Sequence, residues 1–276
     1  MPRVGDDRYS ATVLSSRLVT PVLRRLVLGG DGLAGLRSSG VADEWLQLFL
    51  PTPRGPQPRW YTVRRFQPVG PELTVDVVRH DGGPASAWAE RAQVGAVVEV
   101  SAATGRYGAP PGSQWELIVA DQTGLPAASR ILEEMPAARR AYAILEAPDE
   151  GGILALDAEA DLDLRWVFNP SPDKIASPLA AAARAFRMPP EPGYVWMAGE
   201  ASCAREIRRY LRHELGWSTG RYDISGYWRP KAEAYLQRYR RIEGEVQTIW
   251  NRGRASDLDQ EAIRDQIEAL METHGL

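Results

Sequence analysis

The sequence predicts an N-terminal antiparallel β-barrel, a C-terminal α/β domain built on a parallel sheet, and a helical extension. Three observations carry this. Short strand-like runs punctuated by Gly and Pro fill the chain up to Val100. From Trp115 onward, strand-like and helix-like segments alternate, the pattern of a parallel sheet covered on both faces. The end of the chain, from Ala232, is charged and free of proline. The expected domains are 1–112, 113–230 and 231–276, with the first boundary at Pro110-Pro111-Gly112-Ser113.

In the first part, Tyr9 to Val19 and Val22 to Leu28 read as strands split by Thr20-Pro21. Trp45 to Leu50 is a third strand, followed by a loop with prolines at 51, 53, 56 and 58. Next comes Arg59-Trp60-Tyr61-Thr62-Val63-Arg64-Arg65, read as one strand with Arg59, Tyr61 and Val63 on one face and Trp60, Thr62 and Arg64 on the other. In Glu72 to His80, Leu73, Val75 and Val77 alternate with Thr74 and Asp76, and Val97 to Val100 closes the series. Beyond the boundary, strands are expected at Trp115 to Ala120, Ala141 to Glu146, Leu164 to Phe168, Tyr194 to Ala198 and Tyr222 to Ser225. Helices are expected at Ala127 to Met135, Pro178 to Phe186 and Cys203 to Leu215. The tail reads as two helices, Ala232 to Trp250 and Asp257 to Thr273, broken at Asn251 to Ser256, with Ile263, Ile267, Leu270 and Met271 on one stripe.

The 33 Lys and Arg against 36 acidic residues leave a net charge of −3, with no bias toward nucleic acid or an anionic membrane. One cysteine, Cys203, rules out an internal disulfide and any Cys-based metal cluster. The polar stretch Met1 to Ser10 has no apolar core of a secretory signal, and no apolar run approaches the length of a membrane span. A cytoplasmic protein is expected. No metal site is expected, since His80, His213 and His274 show no ligand spacing; a P-loop and a nucleophile elbow are also absent. No residue is assigned as a catalytic acid or base.

Four constellations carry chemistry. In the Arg59 run an aromatic ring could stack on a flavin and a guanidinium could pair with its pyrophosphate, although alternating Tyr, Thr and Val also describe an ordinary half-buried strand. His80-Asp81-Gly82-Gly83-Pro84-Ala85-Ser86-Ala87-Trp88 passes from a strand into a helix, which suits either a pyrophosphate at a helix N-terminus or plain capping by Ser86. Asp121-Gln122-Thr123-Gly124-Leu125-Pro126 enters the first helix of the sheet domain but lacks the Gly-x-Gly-x-x-Gly fingerprint, leaving a nicotinamide site open. In Ser225-Gly226-Tyr227-Trp228-Arg229-Pro230-Lys231 two aromatics adjoin two cations, as in a flavin wall beside an anion site or an ordinary domain junction.

Together with Gly199-Glu200 and Ile207-Arg208-Arg209-Tyr210-Leu211, and in this order, these segments resemble the siderophore-interacting protein family, ferric-siderophore reductases related to ferredoxin-NADP reductases. The resemblance implies a FAD-binding barrel in which Arg59 engages the FAD phosphates, Tyr61 stacks on the isoalloxazine and Thr62 approaches its redox-active edge. Gly83, Ala85 and Ser86 would hold the pyrophosphate, and Val78, His80, Trp88, Thr123 and Trp228 complete the implied cofactor set. Arg64, Arg65, Arg106, Arg229 and Lys231 are the cations that could line a basic siderophore pocket. Two features depart from many relatives: Thr104-Gly105-Arg106-Tyr107 stands where Gly-Pro-Arg-Gly is common, and the tail is long.

The expected function is a cytoplasmic FAD-dependent ferric-siderophore reductase that releases Fe(II) for iron assimilation. NADH, NADPH and ferredoxin all stand as electron donors. The rivals are an NAD(P)H-dependent reductase of flavin or another acceptor, and a protein that holds a ferric siderophore without turnover.

Overall fold

A computed structural model describes residues 7–52, 55–80 and 83–276. The expected leader-free stretch Met1 to Asp6, Pro53 of the proline-rich loop, and Asp81-Gly82 of the anion loop lie outside the described residues. The chain divides into two compact units, Met1–Tyr227 and Trp228–Leu276, and the first contains both sheets up to the last residue of the final strand.

The N-terminal sheet has seven antiparallel strands: β1 (Arg8–Thr20), β2 (Leu23–Gly29), β3 (Trp45–Leu50), β4 (Gln57–Thr62), β5 (Arg65–Gln67), β6 (Glu72–Val78) and β7 (Val97–Ser101), in the order β4-β3-β7-β1-β2-β6-β5. Period-two alternation builds its core: Val13, Leu26, Leu28, Leu46, Leu48, Val75, Val77 and Val100 point inward. The Arg59 run is not one strand. It breaks at Val63-Arg64, where the Val63 N–H donates to the Glu44 carbonyl at 2.8 Å and the Arg64 N–H to the Thr74 carbonyl at 2.9 Å. This corner carries the chain from one end of the sheet order to the other and brings β4 near β6, curling the sheet toward a barrel while β4 stays an end strand. Pro58 is tolerated within β4 because β4 is an end strand.

The helix α1 (Pro84–Arg91) packs on β2, β3 and β6. The second sheet comprises β8 (Trp115–Ala120), β9 (Arg140–Ala147), β10 (Asp161–Phe168), β11 (Gly193–Glu200) and β12 (Tyr222–Trp228), ordered β10-β9-β8-β11-β12. The first four pair in parallel. The helices α2 (Leu125–Glu134), α3 (Leu179–Ala185) and α4 (Ala201–Arg209) cover it. Apolar residues cover both faces of β8, so it reads as a continuous buried run. The α2 face of this sheet buries Ile118, Ala120, Leu132 and Trp196 together with Leu23 and Ala42 from the barrel, so the two sheets share a core.

Charged side chains stitch that junction. Arg130 on α2, largely buried, donates to Glu44 Oε1 at 2.8 Å, to the Val63 carbonyl at 2.8 Å and to Glu134 at 2.6 Å. Arg25 and Asp76, opposite one another on β2 and β6, form a bidentate pair at 2.7 Å. Arg64 sits 4.0 Å from Asp76 and donates to both oxygens of Glu133 at 2.6 Å, extending the network to α2.

In the second unit, α5 (Ala232–Ala255) and α6 (Gln260–Thr273) form a hairpin around Ile242, Val246 and Met271, with Ile267 and Leu270 packed against them. A Cβ on Gly253 would stand 2.4 Å from Ile263 Cγ1, so this close approach needs glycine. The first helix runs past the expected break to Ala255, and Asp259 caps the second by accepting the Ala262 N–H at 2.7 Å.

Breaking the buried Arg130–Glu44 pair by Arg130→Met should cost about 3–5 kcal/mol in urea denaturation, whereas Arg130→Met with Glu44→Gln should recover part of that loss. A second expectation concerns Glu146, 2% exposed at the end of β9, which accepts the Ser177 hydroxyl at 2.5 Å. Burial pushes its carboxyl from 4.5 up to about 7. The folded state then holds the proton more tightly than the unfolded chain, so the associated stability is present below about pH 4.5 and is lost as pH rises through about 7. Between pH 4.5 and 8 the wild type should lose roughly 2–3 kcal/mol that Glu146→Gln does not lose, measured as the midpoint of denaturation against pH.

Candidate functional site

The exposed edge of β4 gathers the residue types that a flavin dinucleotide needs. Arg59 and Tyr61 lie opposite Leu48 and Leu46, on the face whose further side chains form the barrel core. Because β4 ends the sheet, this face opens to solvent: Arg59 is exposed, with its guanidinium donating to the Pro58 carbonyl at 2.8 Å. Tyr61 packs its ring on the core, and burial pushes its phenol up to about 12, so it serves as a neutral aromatic surface. On the other face Trp60 is 40% exposed. Thr62 is buried and hydrogen-bonds with Tyr227 near the end of β12, which ties the tip of β4 to the second sheet.

The first helix offers a candidate anion-binding element. It opens at Pro84, and among the described residues it carries no side-chain cap and no acidic residue in its first turn. Ser86 is not the cap. It sits inside the helix, 3% exposed, and accepts the His80 N–H at 3.1 Å, folding the loop back onto the helix. His80 lies over Gly83, where a Cβ would come within 2.2 Å of its Cε1. An exposed guanidinium, a helix N-terminus with no side-chain cap among the described residues, a half-buried phenol and the hydroxyls of buried Thr62 and exposed Tyr227 match the groups that FAD requires, and the residues present fit it.

Other residues of the expected cofactor set have packing roles. Ala85 and Trp88 belong to the barrel core, and Val78 packs against the core shared by the two sheets. Thr123 gives both its N–H and its hydroxyl to Asp121 Oδ1, each at 2.7 Å. Trp228 ends β12.

The five cations separate by environment. Arg64 is bonded to Glu133 and Arg106 to Asp223, at 3.1 and 2.5 Å. Arg65 is exposed on β5. Within the second unit Arg229 lies 3.4 Å over the ring of Tyr235, and Lys231 precedes α5 in a left-handed conformation. Cys203 is buried, which drives its thiol up to about 12 and removes it from nucleophilic chemistry at neutral pH.

Two residues that order this site escape a sequence-only search. Asp43 Oδ1 accepts the N–H groups of Arg106 and Tyr107 at 2.8 and 2.9 Å, and its Oδ2 accepts Trp196 Nε1 at 3.2 Å. Burial still raises its pKa despite these three donors. Glu44 accepts the Ser38 hydroxyl and the Ser39 N–H, both at 2.6 Å, as well as Arg130. An acidic pair set directly before the apolar run Trp45 to Leu50 was the available signal.

The family model described as the siderophore-interacting FAD-binding domain matches residues 12–60 and 54–107, and that described as siderophore-interacting protein matches residues 113–231. A siderophore utilization protein from T. fusca is 31% identical, with a TM-score of 0.74 over 83% of this chain and 95% of its own. The NADPH-dependent ferric-chelate reductase of Escherichia coli K12 is 28% identical over 83% of this chain and 96% of its own. The FAD- and NADP-bound ferredoxin NADP+ reductase of Neisseria gonorrhoeae shares the fold alone, at 17% identity and a TM-score of 0.63 over 81% of this chain and 100% of its own. The barrel and the parallel sheet are thus matched in order by the two domains of one family, and the chain belongs to the siderophore-interacting proteins, with its FAD-binding domain in the barrel.

Proposed function

We propose that this chain is a FAD-dependent ferric-siderophore reductase that works in the cytoplasm and releases Fe(II) for iron assimilation. The observation that supports it most is the coincidence on β4 of Arg59, Tyr61 and Thr62 beside a barrel whose first helix carries no side-chain cap among the described residues, all within the stretch that matches the FAD-binding family model. The name of the Escherichia coli relative extends this reading to ferric chelates and to NADPH. NADH and reduced ferredoxin are the other donors it admits. Among the described residues no helix is long and apolar enough to cross a membrane.

FAD, when bound, supplies the electron that Fe(III) takes up. The chain's own residues bind and orient. Arg59 and the N-terminal turn of α1 at Gly83, Ala85 and Ser86 hold phosphate, Tyr61 offers its ring, and Thr62 and Tyr227 present hydroxyls to the polar edge of the ring system. Arg65 is assigned to the anionic ferric complex, which its positive charge attracts; within the second unit Arg229 and Lys231 are further cations proposed to attract such an anion. Arg64 and Arg106 are assigned to the walls, since Glu133 and Asp223 neutralise them. Siderophores are hard oxygen ligands matched to Fe(III), so reduction to Fe(II) weakens their hold and no residue need attack the metal or its ligands.

Anaerobic photoreduction tests the reading: reduced protein should pass electrons to a ferric siderophore faster than to ferricyanide or a quinone. Equal or slower transfer would remove the siderophore assignment, and a protein that stays colourless after incubation with FAD would remove the flavin one. Tyr61→Ala and Arg59→Ala should each weaken FAD retention by about tenfold, read from flavin fluorescence on dilution. Arg65→Ala and Lys231→Ala should keep FAD but raise the apparent constant for the ferric complex and flatten its salt dependence.

A further inference from the structure

In open α/β sheets, phosphates collect at the strand ends where the connection order reverses, because free N–H groups at helix N-termini meet them there. In this chain the reversal lies between β8 and β11, which lead into α2 and α4. Both helix N-termini are already occupied. At α2 the Thr123 and Gly124 N–H groups donate to Asp121 Oδ1 at 2.7 and 3.2 Å. The Leu125 N–H donates to the Asp121 carbonyl at 2.8 Å, the Ala127 N–H to the Gly124 carbonyl at 3.0 Å, and Pro126 has none to give. At α4 the Ser202 and Cys203 N–H groups donate to the Glu200 carboxylate at 2.9 and 3.0 Å, and the Ser202 hydroxyl bonds to it as well.

The crevice between the strands is also filled. A Cβ on Gly199 would stand 2.8 Å from Asp121 Oδ2, and one on Gly124 would stand 2.2 Å from the Ala198 carbonyl oxygen. The turn after β8 is therefore pressed onto β11, with the Asp121 carboxylate wedged at the switch point, 3% exposed. A phosphate arriving here would find its donors engaged and two carboxylates in its place.

We infer that Asp121 and Glu200 exclude the pyrophosphate of a nicotinamide dinucleotide from this strand edge. A nicotinamide donor then delivers its electrons with its phosphates held elsewhere, and the two carboxylates set specificity against dinucleotides docked at the switch point. This concerns anion binding alone, so it stands or falls separately from the reductase reading.

The test is calorimetric titration of the FAD-loaded full chain with ADP-ribose, which carries the pyrophosphate but no nicotinamide. Asp121→Asn and Glu200→Gln each keep a side-chain oxygen for the N–H groups while removing the charge, and retained FAD absorbance with an unchanged circular dichroism spectrum reports that the fold persists. The wild type should show no saturation below about 1 mM, and the double variant should bind about tenfold more tightly or better. Micromolar binding by the wild type would overturn the inference, and so would folded single and double variants that bind no more tightly than the wild type.

Discussion

Two adjacent buried carboxylates, Asp43 and Glu44, carry the connection on which the rest of the structure depends. They stand at the entrance to β3 and reach in different directions: Asp43 to the backbone after β7 and to Trp196 on β11, Glu44 to the loop before β3 and to Arg130 on α2. The Glu44 carbonyl also receives the Val63 N–H, and the Val63 carbonyl receives Arg130. The corner that ends β4 is therefore fixed by groups from both sheets. Since Tyr61 and Thr62 immediately precede that corner, the proposed flavin surface inherits its position from the junction. Buried charges of this kind are costly unless fully bonded, and here each is met by several donors.

The same principle separates the arginines. A guanidinium in a basic pocket must be available to a ligand, yet Arg64 and Arg106 meet carboxylates 69 and 117 residues away in sequence. Their charge is spent within the protein, and positive charge for an anionic substrate has to come from residues such as Arg65. The carboxyl edge of the parallel sheet is the opposite case: its helix N-termini are neutralised by Asp121 and Glu200 from their own loops. On that inference anion recognition shifts away from the site that the fold would ordinarily use for it, whereas α1 on the barrel carries no side-chain cap among the described residues.

Much of the architecture was legible because it rests on local periodicity. The alternation of Leu73, Val75 and Val77 marks β6, the apolar run Trp115 to Ala120 marks a strand buried on both faces, and the spacing of Ile263, Ile267, Leu270 and Met271 marks the α6 stripe. The bend at Val63-Arg64 was not legible, since the alternation continues through it and the bonds that make it come from Glu44 and Thr74. Nor were the partners of Arg64, Arg106 and Arg130, which a linear sequence does not pair. Arg130 did leave a trace, as a lone cation within the apolar stretch Leu125 to Leu132 of α2. The capping alternative for Ser86 fails because the helix begins at Pro84, which moves Ser86 from the cap position into the first turn.

In the proposed function a flavin on β4 passes single electrons to iron in a siderophore, and nothing in the chain needs to hold the metal itself. The most direct measurement is a stoichiometry: protein with its FAD reduced, mixed anaerobically with a ferric siderophore and a coloured ferrous chelator. About two ferrous ions should appear per reduced flavin as the flavin band returns, because FAD carries two electrons and each Fe(III) takes one. A flavin band that returns without ferrous iron, or that does not return at all, would contradict it.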